Sequence, residues 1–212
     1  MASSVIHMAV ASEVNKKLNR DISKLLIGTI APDISKLVGD SKIKSHFSNE
    51  ENDNVPNIEK FLDKYKNNLN DDFVMGYLIH LYTDYLWFKY FIDDVDYSTI
   101  ITKIDGTKVW CNKEEFRDYI YNDYTNINIE LIDKYNLNLK IFYNNIPNIP
   151  NIIEEIPMDK LSIIINKAAE IIANSKIKKA MLFDINNVSE FIELSTNLIL
   201  SKLQEIDIDL NI

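Results

Sequence analysis

The chain has 212 residues, of which 46% are hydrophobic, and 32 acidic residues against 23 basic ones give it a formal net charge of −9. This apolar content is enough for a buried core and excludes a disordered or fibrous chain, while the acid surplus argues against sequence-independent binding to nucleic acid or to an anionic membrane. The single cysteine, Cys111, excludes an intramolecular disulfide framework and zinc motifs built from several cysteines. We recognise no secretion signal and no apolar run that could span a bilayer, so we expect a cytoplasmic protein.

Apolar residues at helical spacing dominate the first half of the chain. They predict a helix over 3–18 that is capped by Ser3 or Ser4, a second helix that starts at the capping residue Asp21, and a short helix over 34–38 that ends at Gly39. The polar segment 40–55, which contains His46, is expected to be a loop. Longer helices are predicted to follow over about 56–69 and over 71–92, the second being the strongest in the chain.

The second half of the chain opens with the one exception to the helical pattern. Two β-prone runs on either side of Asp105 and Gly106 predict a hairpin with a type I′ turn, near residues 99–111. Asn112 and Glu115 then form a capping pair that opens a helix to about residue 136. A Pro/Asn-rich connector over 137–157 separates it from two last helices, about 159–175 and 188–205. The chain is therefore predicted to be a single all-α domain, 1–212, with a small β-hairpin insertion.

His80 and Asp84 are the first candidates for chemistry. Four residues apart on a helix, they project from the same face, and that face is otherwise apolar. Burying an imidazole and a carboxylate there is costly unless each is satisfied, either by the other in a hydrogen-bonded pair or by a divalent metal ion. Taken alone, the spacing favours the hydrogen-bonded pair.

Each of the other candidates also has an ordinary structural interpretation. His7 lies on the inward face of the first helix, where a core histidine bonded to a backbone carbonyl is common. Asp33 follows Pro32 and is well placed to cap the short helix over 34–38, while His46 in a polar loop would usually be solvated. Asp123 lies among tyrosines on its helix and would serve either as a ligand or as a hydrogen-bonded structural partner.

In combination, these residues form a more specific pattern. The order His7, then Asp33, then His46, then Gly76-Tyr77-x-x-His80-x-x-x-Asp84-x-x-Trp87 resembles the zinc-dependent phospholipase C family, and is most similar to its small, non-secreted branch in low-GC bacteria. The resemblance covers roughly residues 5 to 90. It implies a helical bundle of the kind shared with the S1/P1 nucleases, metal-ligand roles for His7, Asp33, His46, His80 and Asp84, and an Asp84 that can bridge two metals.

The chain also departs from that family. No histidine follows His80, so the third metal site of the family cannot be assembled in the same way, and we expect a mono- or dinuclear centre. Asp123 is our extension of the pattern, as a residue that supports the ligands from outside, an additional ligand or a general base. The hairpin is predicted either to overhang the centre, with Trp110, Tyr119 and Tyr124 lining a pocket, or to point into solvent.

These observations predict a metal-dependent hydrolase that acts on a small-molecule or lipid phosphate ester. A divalent metal, zinc or alternatively manganese or iron, would activate a water molecule, with Asp84 and Asp123 as the catalytic carboxylates. The alternative is a helical scaffold or interaction protein that keeps the bundle without catalysis. An HD-type phosphohydrolase is disfavoured because that family needs a contiguous His-Asp pair, which this chain lacks.

Overall fold

The computed structural model describes residues 1–49, 55–92 and 98–206, and within the first strand it describes the side chains from residue 100 onwards. The described chain is mostly helical with a two-stranded antiparallel sheet, which confirms the all-α class. The elements are α1 (Ser4–Leu18), α2 (Ile22–Ile30), α3 (Ile34–Leu37), α4 (Lys42–His46), α5 (Ile58–Tyr65), α6 (Asp72–Leu86), β1 (Ser98–Thr102), β2 (Lys108–Asn112), α7 (Lys113–Lys134), α8 (Leu161–Ala173) and α9 (Ile185–Glu205).

Side chains cap the long helices where the sequence predicts it. The Ser3 hydroxyl accepts a hydrogen bond from the backbone N–H of Ile6, and Asp21 caps α2. Asn112 and Glu115 form the predicted capping box at the start of α7. Each cap satisfies backbone N–H groups that have no partner inside the helix, and so it fixes where the helix begins.

Helices α2 and α6 form the centre of the fold and cross at backbone contact distance. An added Cβ on Gly76 would lie 2.0 Å from the carbonyl oxygen of Leu25, and one on Gly28 would lie 2.1 Å from that of Phe73. Only glycine permits this approach at either position. The Thr29 hydroxyl lies 2.9 Å from the carbonyl oxygen of Leu25 and 3.2 Å from that of Gly76, and it shares its single proton between these two acceptors. The crossing therefore holds the backbone of α2 against the face of α6 that carries His80.

Helix α1 packs against this central pair and against α7 and α9. Every residue from Val5 to Ala11 is buried, so this part of the helix is enclosed on all sides, and His7 lies within it. Helix α6 continues into a π-helical turn, Trp87–Phe91, whose Trp87 is fully buried. None of the described helices is both long enough and apolar enough to cross a bilayer.

The β-hairpin is confirmed, but its turn differs from the predicted one. Ser98 pairs with Asn112 and Thr102 with Lys108, leaving a loop over 103–107. A type I′ turn needs positive φ at both central residues, whereas of Asp105 and Gly106 only Gly106 has it, with φ 82°. The Asp105 carboxylate accepts a hydrogen bond from the backbone N–H of Thr107, at 2.9 Å, which holds the longer loop instead.

The prediction of a loop over 40–55 was wrong for its first part. Ser41 accepts a hydrogen bond from the backbone N–H of Ile43 and caps the short helix α4, which ends at His46. His46 is fully buried, not solvated. Residues 50–54 of this segment lie outside the described part of the chain. A single cap, with few apolar residues after it, is a weak helix signal, and tertiary packing decides the conformation here.

Candidate metal centre

The structure brings together the five ligands that the resemblance implies. Helix α1 supplies His7, the turn before α3 supplies Asp33, α4 supplies His46, and α6 supplies His80 and Asp84. The side chains of His46, His80 and Asp84 have no solvent exposure, and that of Asp33 is 18% exposed. Candidate ligands that lie far apart in the sequence therefore converge in the interior of the fold.

Three of these side chains present atoms in an arrangement that suits a metal ion. His46 Nε2 lies 3.1 Å from His80 Nε2, and these nitrogens lie 3.5 and 3.7 Å from Asp84 Oδ2. Tetrahedral zinc with bonds of 2.0–2.1 Å places its ligand atoms about 3.3 to 3.4 Å apart. Asp33 Oδ1 lies 4.0 Å from His46 Nε2 and completes a set of two imidazoles and two carboxylates.

Asp84 joins this set to His7 through its other oxygen. Oδ1 lies 3.3 Å from His7 Nε2 and accepts a hydrogen bond from the backbone N–H of Ala2 at 3.0 Å. Two groups of residues could each hold an ion on distance grounds, namely His7, His80 and Asp84, and Asp33, His46 and His80. Both groups use His80, whose Nδ1 already contacts the carbonyl oxygen of Thr29. His80 therefore has only Nε2 for a metal, and the two groups cannot each bind their own ion through it.

Hydrogen bonds outside the centre fix which nitrogens carry lone pairs. His80 Nδ1 lies 2.7 Å from the carbonyl oxygen of Thr29, so it must carry the proton, and Nε2 is left as an acceptor. The Ser45 hydroxyl donates to the carbonyl oxygen of Lys42 and lies 2.9 Å from His46 Nδ1, which then donates to it. The two Nε2 lone pairs therefore face each other across 3.1 Å, a repulsive contact that a cation between them would relieve.

The ordinary interpretations of these residues do not fit the contacts. The distance of 3.7 Å between His80 Nε2 and Asp84 Oδ2 is too long for the hydrogen-bonded pair that the spacing alone favours. Asp33 makes no side-chain capping bond to α3. Neither ring nitrogen of His7 hydrogen-bonds a backbone carbonyl in the described residues, and its Nε2 faces Asp84 Oδ1 instead.

Several buried polar atoms of the centre have no hydrogen-bond partner among the described residues, and they belong to His7, Asp33, Lys42 and Asp84. Buried polar atoms are nearly always paired, because leaving one unpaired costs about 1 to 3 kcal/mol. A metal ion would give the unpaired carboxylate oxygens, Asp33 Oδ1 and Asp84 Oδ2, a partner, whereas the protonated Lys42 ammonium could not bind it. The donor chemistry and the unpaired atoms thus both fit a bound divalent cation.

The electrostatics keep the ligands in the protonation states that metal binding requires. Burial and repulsion from His7 hold the pKa of His80 well below its ordinary value, and burial together with Lys42 lowers the pKa of His46. Burial alone would raise the pKa of Asp84, but Lys42, His46 and His7 outweigh it, so this pKa lies well below the usual range. Neutral imidazoles and ionised carboxylates are the metal-binding forms.

Lys42 is a member of the centre that the sequence analysis missed. Its ammonium Nζ is buried, lies 3.6 Å from Asp84 Oδ2 and has no hydrogen-bond partner in the described chain. Burial lowers its pKa, against the opposing attraction of Asp84 and Asp33. A lysine in a polar segment carries no signal of this kind in the sequence, although recognising Ser41 as a helix cap would have placed Lys42 and His46 one turn apart on the same helix.

Asp123 does not join either group. Its carboxylate accepts hydrogen bonds from three consecutive backbone N–H groups, those of Met181 at 2.8 Å, Leu182 at 2.6 Å and Phe183 at 3.2 Å. Both of its oxygens are occupied in holding the segment before α9 against α7. These contacts favour the structural interpretation of Asp123 over the predicted role as a ligand or general base.

A half-open cleft of about 310 Å³ adjoins the centre at Asp33. Its walls include the side chains of Lys36, Leu37, Tyr121, Tyr124, Ile164 and Lys167. Of the three aromatic residues predicted to line a pocket, Tyr124 lines this cleft and Trp110 and Tyr119 do not; Trp110 is 65% exposed on the hairpin. The cleft is therefore formed by the N-terminal residues 1–4 together with α3, α7 and α8, and no described residue of the hairpin lies in its walls.

Comparison with known proteins finds no match for this chain among protein-family models, curated proteins or solved structures.

Proposed function

We propose that this protein binds a divalent metal ion, with zinc as the best fit, and hydrolyses a phosphate ester at that centre. The observation that carries the proposal is the triangle of His46 Nε2, His80 Nε2 and Asp84 Oδ2, whose edges of 3.1, 3.5 and 3.7 Å average close to those of a tetrahedral zinc site. Two imidazoles and carboxylates are ligands that zinc accepts in hydrolytic sites. When bound, such an ion lowers the pKa of water towards neutrality and polarises a phosphoryl oxygen.

Each side chain of the centre would have a distinct role in binding the metal ion. His46 and His80 hold the ion through Nε2, and their Nδ1 contacts with Ser45 and Thr29 fix the orientation of the rings. Asp84 supplies Oδ2 to the same ion and keeps Oδ1 beside His7. Asp33 is the most exposed of these four ligands, so it stands where the centre meets solvent.

The cleft beside Asp33 supports a small organic phosphate as the substrate class. Its apolar and aromatic walls suit an organic group, and the ammonium groups of Lys36 and Lys167 add positive charge to an otherwise acidic protein. The order of the ligands resembles the zinc-dependent phospholipase C family, and we propose the bundle fold of that family for this chain. Lipid phosphates therefore belong in the test beside soluble esters.

The test is hydrolysis by metal-reconstituted protein. Purified protein is stripped with a chelator, reloaded with zinc, manganese or iron(II), and assayed against a phosphomonoester, a phosphodiester and a choline phospholipid. We expect turnover of one of these classes that depends on added metal and disappears in Asp84→Asn. Asp123→Asn is the matched control, because it makes the same chemical change outside the centre, and it should retain activity in the folded protein.

Metal binding without turnover of any of the three classes would contradict phosphate ester hydrolysis and favour the helical scaffold alternative. Turnover that persists equally in Asp84→Asn would show that the activity does not arise at this centre. The comparison of Asp84→Asn with Asp123→Asn shows whether any turnover arises at this centre.

A further inference from the structure

The ammonium group of Lys42 is a buried charge of the centre to which the proposed metal binding gives no role. Its Nζ lies 3.6 Å from Asp84 Oδ2 without a hydrogen-bond partner among the described residues. An ammonium group has three N–H donors and cannot ligate a metal while it is protonated. Asp84 is an anionic neighbour, but at 3.6 Å it is too far away to accept a hydrogen bond. The N–H donors of this buried ammonium therefore have no acceptor among the described residues.

Solvent reaches the centre beside this group. The side chains of Lys42 and Asp33 are 16% and 18% exposed, whereas those of His46, His80 and Asp84 have no exposure. Asp33 and Lys42 are therefore the partly exposed side chains at the edge of the centre. Any anion that reaches the centre would meet the Lys42 ammonium at the same depth as the carboxylate that binds the metal.

The formal charges of the centre also favour an anion bound beside Lys42. Asp33 and Asp84 contribute two negative charges, which one divalent ion would neutralise, and the neutral imidazoles add none. A protonated Lys42, whose Nζ lies 3.6 Å from Asp84 Oδ2, then adds a positive charge that these two carboxylates no longer offset. Such a charge is costly unless an anion accompanies it, and a phosphate group offers several acceptor oxygens at once.

We infer that Lys42 is a substrate-binding residue, whose ammonium group donates to a non-bridging phosphate oxygen beside the metal ion. This inference rests on the proposed function, since it assumes a metal at the His46, His80 and Asp84 triangle. In this arrangement the Lys42 ammonium takes the place of a second metal ion, because it supplies a positive charge to the phosphate. A single charge then has two opposite effects, because it repels the metal and attracts the anion.

The test measures zinc and inorganic phosphate separately, by calorimetry, on wild type, Lys42→Met, Lys42→Arg and Lys44→Met. Lys44 lies two residues away on α4 and is exposed, so Lys44→Met is the matched control. In Lys42→Met we expect zinc to bind about threefold tighter or more, and phosphate to bind zinc-loaded protein at least about tenfold more weakly. We expect Lys42→Arg to bind phosphate within about threefold of wild type, because it keeps the charge, and Lys44→Met to match wild type for both ligands.

The outcomes separate the two proposals. Wild-type affinity for phosphate in zinc-loaded Lys42→Met overturns the inference about Lys42 and leaves the proposed function standing. Weaker binding of both zinc and phosphate in Lys42→Met and Lys42→Arg alike also overturns it, because that pattern indicates a structural role. A zinc-loaded wild type that binds no phosphate contradicts the proposed function, and the role of Lys42 with it.

Discussion

Replacing Gly76 with alanine tests whether the crossing of α2 and α6 positions the centre. The added Cβ would lie 2.0 Å from the carbonyl oxygen of Leu25 and 3.0 Å from the backbone nitrogen of Thr29. An ordinary contact between carbon and oxygen is about 3.3 Å, so the two backbones must separate locally by roughly 1.3 Å. The obstacle is backbone on both sides, and no side chain can rotate away to relieve it.

This separation acts directly on His80. The Thr29 carbonyl oxygen lies 2.7 Å from His80 Nδ1, and a displacement of roughly 1.3 Å would lengthen that contact beyond hydrogen-bonding range. The Thr29 hydroxyl would lose its bond to the Gly76 carbonyl at the same time. We expect the free energy of unfolding of the metal-free protein to fall by about 3 kcal/mol, from overpacking and these lost bonds.

Zinc affinity should fall together with stability, by about 10- to 100-fold, because the ring of His80 loses the partner that orients it. Urea denaturation and competitive zinc titration measure the two effects. Gly106→Ala is the control: Gly106 has φ 82° with open space around it in the hairpin loop, so it should cost about 1 kcal/mol and leave zinc affinity unchanged. A Gly76→Ala protein within 0.5 kcal/mol of wild type, with unchanged zinc affinity, would refute this reasoning.

Three further predictions follow from the contacts of individual side chains. Asp33→Asn should lower zinc affinity at least about tenfold. Thermal denaturation of the metal-free protein should change little, because Asp33 makes no capping bond. A zinc affinity equal to that of wild type would show that Asp33 does not belong to the centre. Asp123→Asn should destabilise the fold by about 1 to 3 kcal/mol in urea, because an amide cannot accept all three backbone bonds, and a loss of zinc with stability unchanged would contradict that role. Burial lowers the pKa values of His46 and His80, so metal-free protein should lose stability as the pH falls from about 6.5, at up to about 1.4 kcal/mol per pH unit for each imidazole. Urea titrations that show no pH dependence between about pH 7 and 5 would contradict neutral buried imidazoles.

The helices could be predicted because their signals are local. Ser3, Asp21 and the Asn112–Glu115 pair lie beside runs of apolar residues at helical spacing, and each cap is seen in the structure. The hairpin was predictable for the same reason. The type of its turn could not be predicted. The Asp-Gly pair is compatible with several loop lengths, and here the Asp105 carboxylate accepts a hydrogen bond from Thr107 N–H inside a longer loop.

The centre could be predicted only in part, because it depends on contacts between distant segments. The spacing of His80 and Asp84 shows that they share a helix face, but not that they lie 3.7 Å apart and do not bond each other. His46 was misplaced in a solvated loop, since the burial of α4 comes from packing in the folded chain. The Tyr77 hydroxyl donates to the Ser45 carbonyl, a contact that ties α4 to α6 and that no local pattern indicates.

The most direct test of the metal centre is the zinc content of purified protein, measured by elemental analysis beside the thermal denaturation midpoint. We predict about one equivalent of zinc in reconstituted wild type, with a rise in melting temperature on loading, and less than about a tenth of an equivalent in His80→Gln and Asp84→Asn. Asp123→Asn, which changes a carboxylate outside the centre, should keep the wild-type zinc content. Full zinc occupancy in both His80→Gln and Asp84→Asn, or a wild type that takes up no metal, would contradict the assignment of this centre.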